Sequence, residues 1–153
     1  MKTNVFNLDF QDFIRELNNH EVEYILVGAY SVILHGYART TGDMDIWVKP
    51  TAENYQRLVK AFNQFGLPIF DMTLNKFLQT EAYDVFTFGR PPVCIEILTI
   101  VQGLDFEPAY KGSKWFEIDK QLFVRSLQLS DLIKAKKAAG RAKDLDDLEN
   151  LPS

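Results

Sequence analysis

Two aspartates one residue apart open the run Asp43-Met44-Asp45-Ile46-Trp47-Val48. Aspartate is depleted in strands, yet the alternation of this run reads as one. Side chains alternate between faces along a strand, so Asp43 and Asp45 share one face, and Met44 and Ile46 point to the other. Like charges this close repel unless a cation or a proton sits between them. Either the pair is solvated at a strand end, or it holds a hard divalent cation such as Mg2+, which prefers carboxylate oxygens. Glu96 raises the same question. It stands inside Val93-Cys94-Ile95-Glu96-Ile97-Leu98, where an ionised carboxylate is unfavourable unless something pairs with it. It faces a polar cleft or a cation, or it marks the wet position of an edge strand. If its strand lies beside 43–48, three carboxylates converge and can hold the one or two ions that assist phosphoryl chemistry. Asp84, beside a turn, is a weaker candidate for the same role.

A second constellation suits an anion. Glu23–Val27 reads as a short buried strand, Gly28 ends it, and a helix of about two turns follows, closing near Gly36. A helix N-terminus offers free N–H groups and partial positive charge. Gly28 would allow close backbone approach, and the Ser31 hydroxyl falls in the first turn. The plainer reading is a simple strand-to-helix turn. His20 and His35 have no zinc spacing, and Cys94 reads as a small buried apolar residue.

The elements that must position these groups are legible in outline. Asn7 caps a first helix with Leu8, Phe10, Phe13, Ile14 and Leu17 on one apolar face. Pro50 ends the strand 43–48, and Thr51 caps a long helix through about Phe65. Strands follow at Ala82–Phe88 and Val93–Ile100, turning through Gly89, Arg90, Pro91 and Pro92. Trp115–Ile118 and Leu122–Val124 form a late hairpin. Ser130 caps a C-terminal helix that breaks near Gly140, and a short acidic helix runs from Lys143. Strands and helices alternate only loosely, so the expected class is α+β, with a mixed sheet packed by helices.

The chain has 153 residues, one cysteine and a formal charge of −4. That length fits one domain over 1–153. Apolar residues at 46% and charged residues at 25% exclude collagen-like, disordered and coiled-coil classes. A lone cysteine excludes an internal disulfide and a cysteine zinc cage. No run reaches the ~18 apolar residues of a membrane helix, and the first residues do not read as a signal peptide. Together these favour a reducing cytoplasm and no membrane partner. A pI of 5.2 argues against a surface that grips nucleic acid throughout, while leaving room for a local basic patch.

Taken together, VGAYSVILHGYARTTGDMDIWV resembles the core motif of the nucleotidyltransferase superfamily, the DNA polymerase β-like fold. Val27-Gly28-Ala29 stands for the family's hydrophobic–Gly–Gly/Ser start, Asp43-Met44-Asp45 for its acid pair, and Glu96 for its third carboxylate. Thirteen residues separate Ala29 from Asp43, within the family's range. HGYARTTGDMDI and the late segment SLQLSDLIKAKKAAGRAKDLDDLENL resemble small bacterial members linked to abortive infection and toxin–antitoxin systems. The likeness spans roughly residues 20–150. It departs at Ala29, which keeps the backbone N–H but lacks the hydroxyl that helps hold a triphosphate.

The resemblance implies transfer of a nucleoside monophosphate from a nucleoside triphosphate to a hydroxyl on a protein or RNA acceptor. Asp43, Asp45 and Glu96 would carry the chemistry, with Asp43 and Asp45 holding Mg2+ or Mn2+ and Glu96 helping to bind a second ion or accepting the proton of the attacking hydroxyl. Gly28, Ala29 and Ser31 would cradle phosphates. Arg39 would offset triphosphate charge or salt-bridge to the acids, and Thr40 and Thr41 would bond phosphate or metal-bound water, or form the turn with Gly42. Lys134, Lys136, Lys137, Arg141 and Lys143 put five cations and no acid within ten residues. At helical spacing Lys134, Lys137 and Arg141 share a face, with Lys134 and Lys137 the preferred contacts to triphosphate or RNA. The plainer alternative is a solvated face balancing nearby acids. Two other functions stay open: a nucleotide-binding module without catalysis, and a regulatory protein whose site a partner from a two-component system completes.

Overall fold

Seven helices and six strands make up the computed structural model, which describes residue 4 and residues 6–39, 41–90 and 93–152. Thr40 and the turn prolines Pro91 and Pro92 lie outside the described residues. In chain order the elements are α1 (Leu8–Asn19), β1 (Tyr24–Val27), α2 (Gly28–Leu34), β2 (Asp43–Val48) and α3 (Ala52–Phe65). Then come α4 (Leu74–Leu78), β3 (Val85–Arg90), β4 (Val93–Leu98), α5 (Phe106–Gly112) and β5 (Lys114–Asp119). The chain ends with β6 (Leu122–Ser126), α6 (Leu129–Ala139) and α7 (Ala142–Asn150). No helix among the described residues is long and apolar enough to cross a membrane.

The strands form one mixed sheet in the order β3-β4-β2-β1-β6-β5. β2 runs antiparallel to β1 and parallel to β4, while β6 runs parallel to β1. The even-numbered positions of the central strands, Leu26, Met44, Ile46, Val48 and their neighbours, join a core with Phe10, Phe13, Leu17, Leu58 and Phe62 of α1 and α3. The odd-numbered positions, Ile25, Val27 and Trp47, pack with Ala109, Leu127, Leu132 and Leu151. Both faces of the central sheet are therefore apolar except where β2 begins.

Local chemistry explains most boundaries. The Asn7 side chain accepts a hydrogen bond from the Phe10 N–H, and the Thr51 hydroxyl accepts one from Asn54. Gly66 closes α3 in the left-handed conformation. Three expectations are corrected. Leu8 is exposed, because it sits about 200° around the helix from Phe10 and cannot share its face. Gln128, not Ser130, is the N-cap residue of α6. β4 is not an edge strand, since β3 covers its outer side. Glu96 is thus an interior-strand carboxylate, and the edge explanation for it falls.

Candidate active site

The site grows out of β2. Along its odd face Asp43 is exposed, Asp45 half-buried and Trp47 buried under an edge contact with Phe106 of α5. The acids occupy the open end of a face whose other end is sealed. Register sets their neighbours: Asp45 pairs with Val27 on one side and Glu96 on the other, and Asp43 pairs with Cys94. Partnered residues on adjacent strands point the same way. All three carboxylates therefore lie on one face, from strands far apart in sequence.

Asp45 is the most perturbed of them. Burial, followed by a hydrogen bond with Glu96 and the charges of Glu96 and Asp43, pushes its carboxyl up to about 7, with Lys143 opposing. Its Oδ1 is buried with no hydrogen-bond partner. Its other oxygen lies against the backbone of Gly28, where a Cβ would strike it. Gly28 also has φ +68°, a conformation side chains disfavour. This glycine is required twice over, and the second reason is room for Asp45. Asp43 leans elsewhere. It lies beside the Cys94 thiol, which burial and then Asp43 push up from its ordinary value.

An orphaned buried oxygen and a neighbouring carboxylate suit a hard cation by donor type. Among the described residues, however, no three His, Cys, Asp or Glu side chains come together as a metal-ligand cluster. The expected convergence of Asp43, Asp45 and Glu96 is present as a shared face and not as a formed cage.

A cleft of about 360 Å³ opens beside Asp45. Gly28, Leu98, Val101, Lys136 and Arg141 line it together with Asp45. Lys136 and Arg141 were part of the basic segment in sequence but not its preferred members. The lysine in the cleft wall is buried, bridging Asp144 at 3.1 Å and Asp147 at 3.0 Å. Burial pushes the Asp144 carboxyl up, but Arg141 and then Lys136 outweigh it and hold the group below its usual range.

The other sequence candidates are scattered. Ser31 is fully buried and its hydroxyl shares a 2.8 Å hydrogen bond with that of Ser126, so it is committed to joining α2 to β6. Ala29, half-buried in the first turn of α2, does not line the cleft. The Thr41 hydroxyl donates to the backbone oxygen of Asp43 at 3.3 Å. Arg39 is turned to Asp147, not to Asp43 or Asp45. Lys134 and Lys137 are exposed on α6, away from the cleft lining. Arg141 leaves their face because Gly140 ends α6 and Arg141 becomes the N-cap of α7. Sequence reasoning missed Asp144 and Asp147, whose i, i+3 spacing was the available signal.

A crystal structure from Thermotoga maritima, of the protein TM1012 described as a "putative nucleotidyltransferase", matches with a TM-score of 0.59. The alignment covers 91% of this chain and 87% of that one at 16% identity. The chain has the nucleotidyltransferase fold. No family model and no curated protein sequence matches it. Within the nucleotidyltransferase fold, the α+β class, the mixed sheet and the helix packing agree with the architecture the resemblance implied.

Proposed function

We propose that this chain is a single-domain, cytoplasmic, metal-dependent nucleotidyltransferase that moves a nucleoside monophosphate from a nucleoside triphosphate to a hydroxyl on a protein or RNA acceptor. The observation that carries this reading is the Asp45 carboxyl. It has an orphaned buried oxygen, stands in register with Glu96, and borders a cleft on a nucleotidyltransferase fold. Asp43, Asp45 and Glu96 would hold Mg2+ or Mn2+, which supplies charge neutralisation at phosphate oxygens when bound.

The chain's own residues orient the reactants and move the proton. The acceptor hydroxyl oxygen bonds to the α-phosphorus, and the bond from that phosphorus to the bridging oxygen breaks. Pyrophosphate leaves with the electron pair. Glu96 takes the hydroxyl proton. Gly28, in the cleft wall, would present its backbone to phosphate with the Ala29 N–H beside it outside the lining, Thr41 borders the approach to Asp43, and Lys134 and Lys137 are exposed cations for an RNA acceptor. The likeness of HGYARTTGDMDI to phage-defence members extends the proposal to a two-component toxin–antitoxin setting with a partner protein.

Ser31 favours a second reading. Its hydroxyl is committed to Ser126, and Ala29 has none to offer, which suits a nucleotide-binding module or a site completed by another chain. Incubating the protein with each labelled nucleoside triphosphate, Mg2+ and cell extract tests the first reading. Label is expected on protein or RNA with the wild type and not with Asp43→Ala/Asp45→Ala. Absence of transfer with all four nucleotides refutes it. Nucleotide binding by calorimetry without turnover supports the second.

A further inference from the structure

Two carboxylates of α7, Asp144 and Asp147, are buried outright. Buried carboxylates persist when cations meet them. Lys136 bridges the pair, and Arg141 adds a 2.7 Å bond to Asp144. The remaining cation comes from elsewhere in the chain. Arg39 donates from its Nη1 to both oxygens of Asp147, at 2.7 Å each. One more contact runs the same way, from the Tyr37 hydroxyl to Asp146 at 2.8 Å.

Arg39 stands four residues before Asp43, in the segment that delivers the chain into β2. Apolar packing also reaches this junction, because Tyr37 packs against the cluster that holds Leu151 at the end of α7, while Leu145 on α7 itself is 53% exposed. The approach to the acid strand is therefore fastened to α7 by charge at Arg39 as well as by packing at Tyr37, and α7 in turn is fastened to the cleft wall by Lys136.

We infer that Arg39 is a positioning residue, acting through Asp147 to fix the approach to β2 and hence the placement of Asp43, rather than a phosphate contact. Its effect on chemistry rests on the nucleotidyltransferase reading, whereas the fastening itself does not. Both of its hydrogen bonds leave a single nitrogen, so the contact requires a cation at one point rather than a planar fork. A lysine ammonium supplies that and a glutamine amide does not. A triphosphate contact would instead draw on the guanidinium fork, which lysine cannot reproduce.

Hydrogen exchange read by mass spectrometry, on the full chain without nucleotide, tests this directly. Arg39→Gln is expected to speed exchange in the 41–45 amides by about tenfold or more while α3 stays as in the wild type. Arg39→Lys is expected to restore most of the protection. In a transfer assay, Arg39→Gln lowers kcat and leaves the nucleotide KM within about twofold, with recovery in Arg39→Lys. Wild-type exchange in Arg39→Gln, with only KM raised, overturns the inference. Should Arg39→Gln fail to fold, Arg39→Lys decides: retained protection at 41–45 supports the fastening and its loss overturns it. A wild type that transfers no nucleotide defeats the nucleotidyltransferase reading alone, because the exchange measurement still decides the role of Arg39.

Discussion

Replacing Asp45 with asparagine isolates the electrostatics of the acid pair. Burial first, then Glu96 and Asp43, raise this carboxyl from 3.8 to about 7. At ~1.4 kcal/mol per pKa unit, the shift corresponds to a ceiling of about 4 kcal/mol. The folded value lies above the unfolded one, so the folded chain holds the proton more tightly. The associated stabilisation is complete below pH ~4 and is lost as pH rises through about 7. Asparagine carries no charge and escapes that loss. Because Glu96 shares the interaction, roughly half the ceiling is expected: Asp45→Asn gains about 2 kcal/mol at pH ~8.5, or about 4–8 °C in Tm. The two proteins converge at pH ~4. Thermal unfolding followed by circular dichroism, with a chelator present, reads both ends. Adding Mg2+ at the alkaline end raises the Tm of the wild type and not of the variant, since a bound cation relieves a repulsion that only the wild type has. A constant offset between the two proteins across the whole range, or a variant less stable at high pH, refutes the reasoning.

Gly28→Ala forces a side chain into a left-handed backbone and against Asp45, so a loss of about 2 kcal/mol is expected in urea unfolding, and wild-type stability would contradict the packing. Lys136→Met strips a shared cation from Asp144 and Asp147. At neutral pH it is expected to destabilise by about 3–5 kcal/mol. Asp144 is held below its usual range, so this penalty belongs to pH above ~4 and shrinks as acid protonates the carboxyls, which denaturation at two pH values will reveal. Ser31→Ala removes one buried hydroxyl bond, for a loss of about 1 kcal/mol, and leaves nucleotide KM unchanged; a raised KM would restore Ser31 as a phosphate ligand.

The acid strand was legible because its alternation, its Thr-Thr-Gly approach and the proline after it all agree, and the observed bounds Asp43–Val48 match the expected ones. Glu96 was legible as a charge set among apolar residues. What sequence could not supply was pairing. That Asp45 faces Glu96 while Asp43 leans to Cys94 depends on a parallel register between β2 and β4. The partner of Ser31 was hidden for the same reason: Ser126 lies 95 residues away. Helices α4 and α5 went unseen because five and seven residues are too few to display a helical period, and α5 carries Pro108 in its first turn. In α7 the usual pattern is inverted. Leu145 is exposed while Asp144 and Asp147 are buried, so reading acids as solvated hid the group that meets Arg39 and Lys136.

The seating of both acids on the odd positions of β2 also limits how this protein can change its length. Deleting or inserting one residue inside the strand would carry Met44 and Ile46 into the wet cleft and drive two aspartates into the hydrocarbon interior beneath α1 and α3. The stretch between α2 and β2 is under no such parity rule. Descendants of this sequence are free to lengthen that stretch, provided the strand resumes in step with Val27 and Arg39 still reaches Asp147.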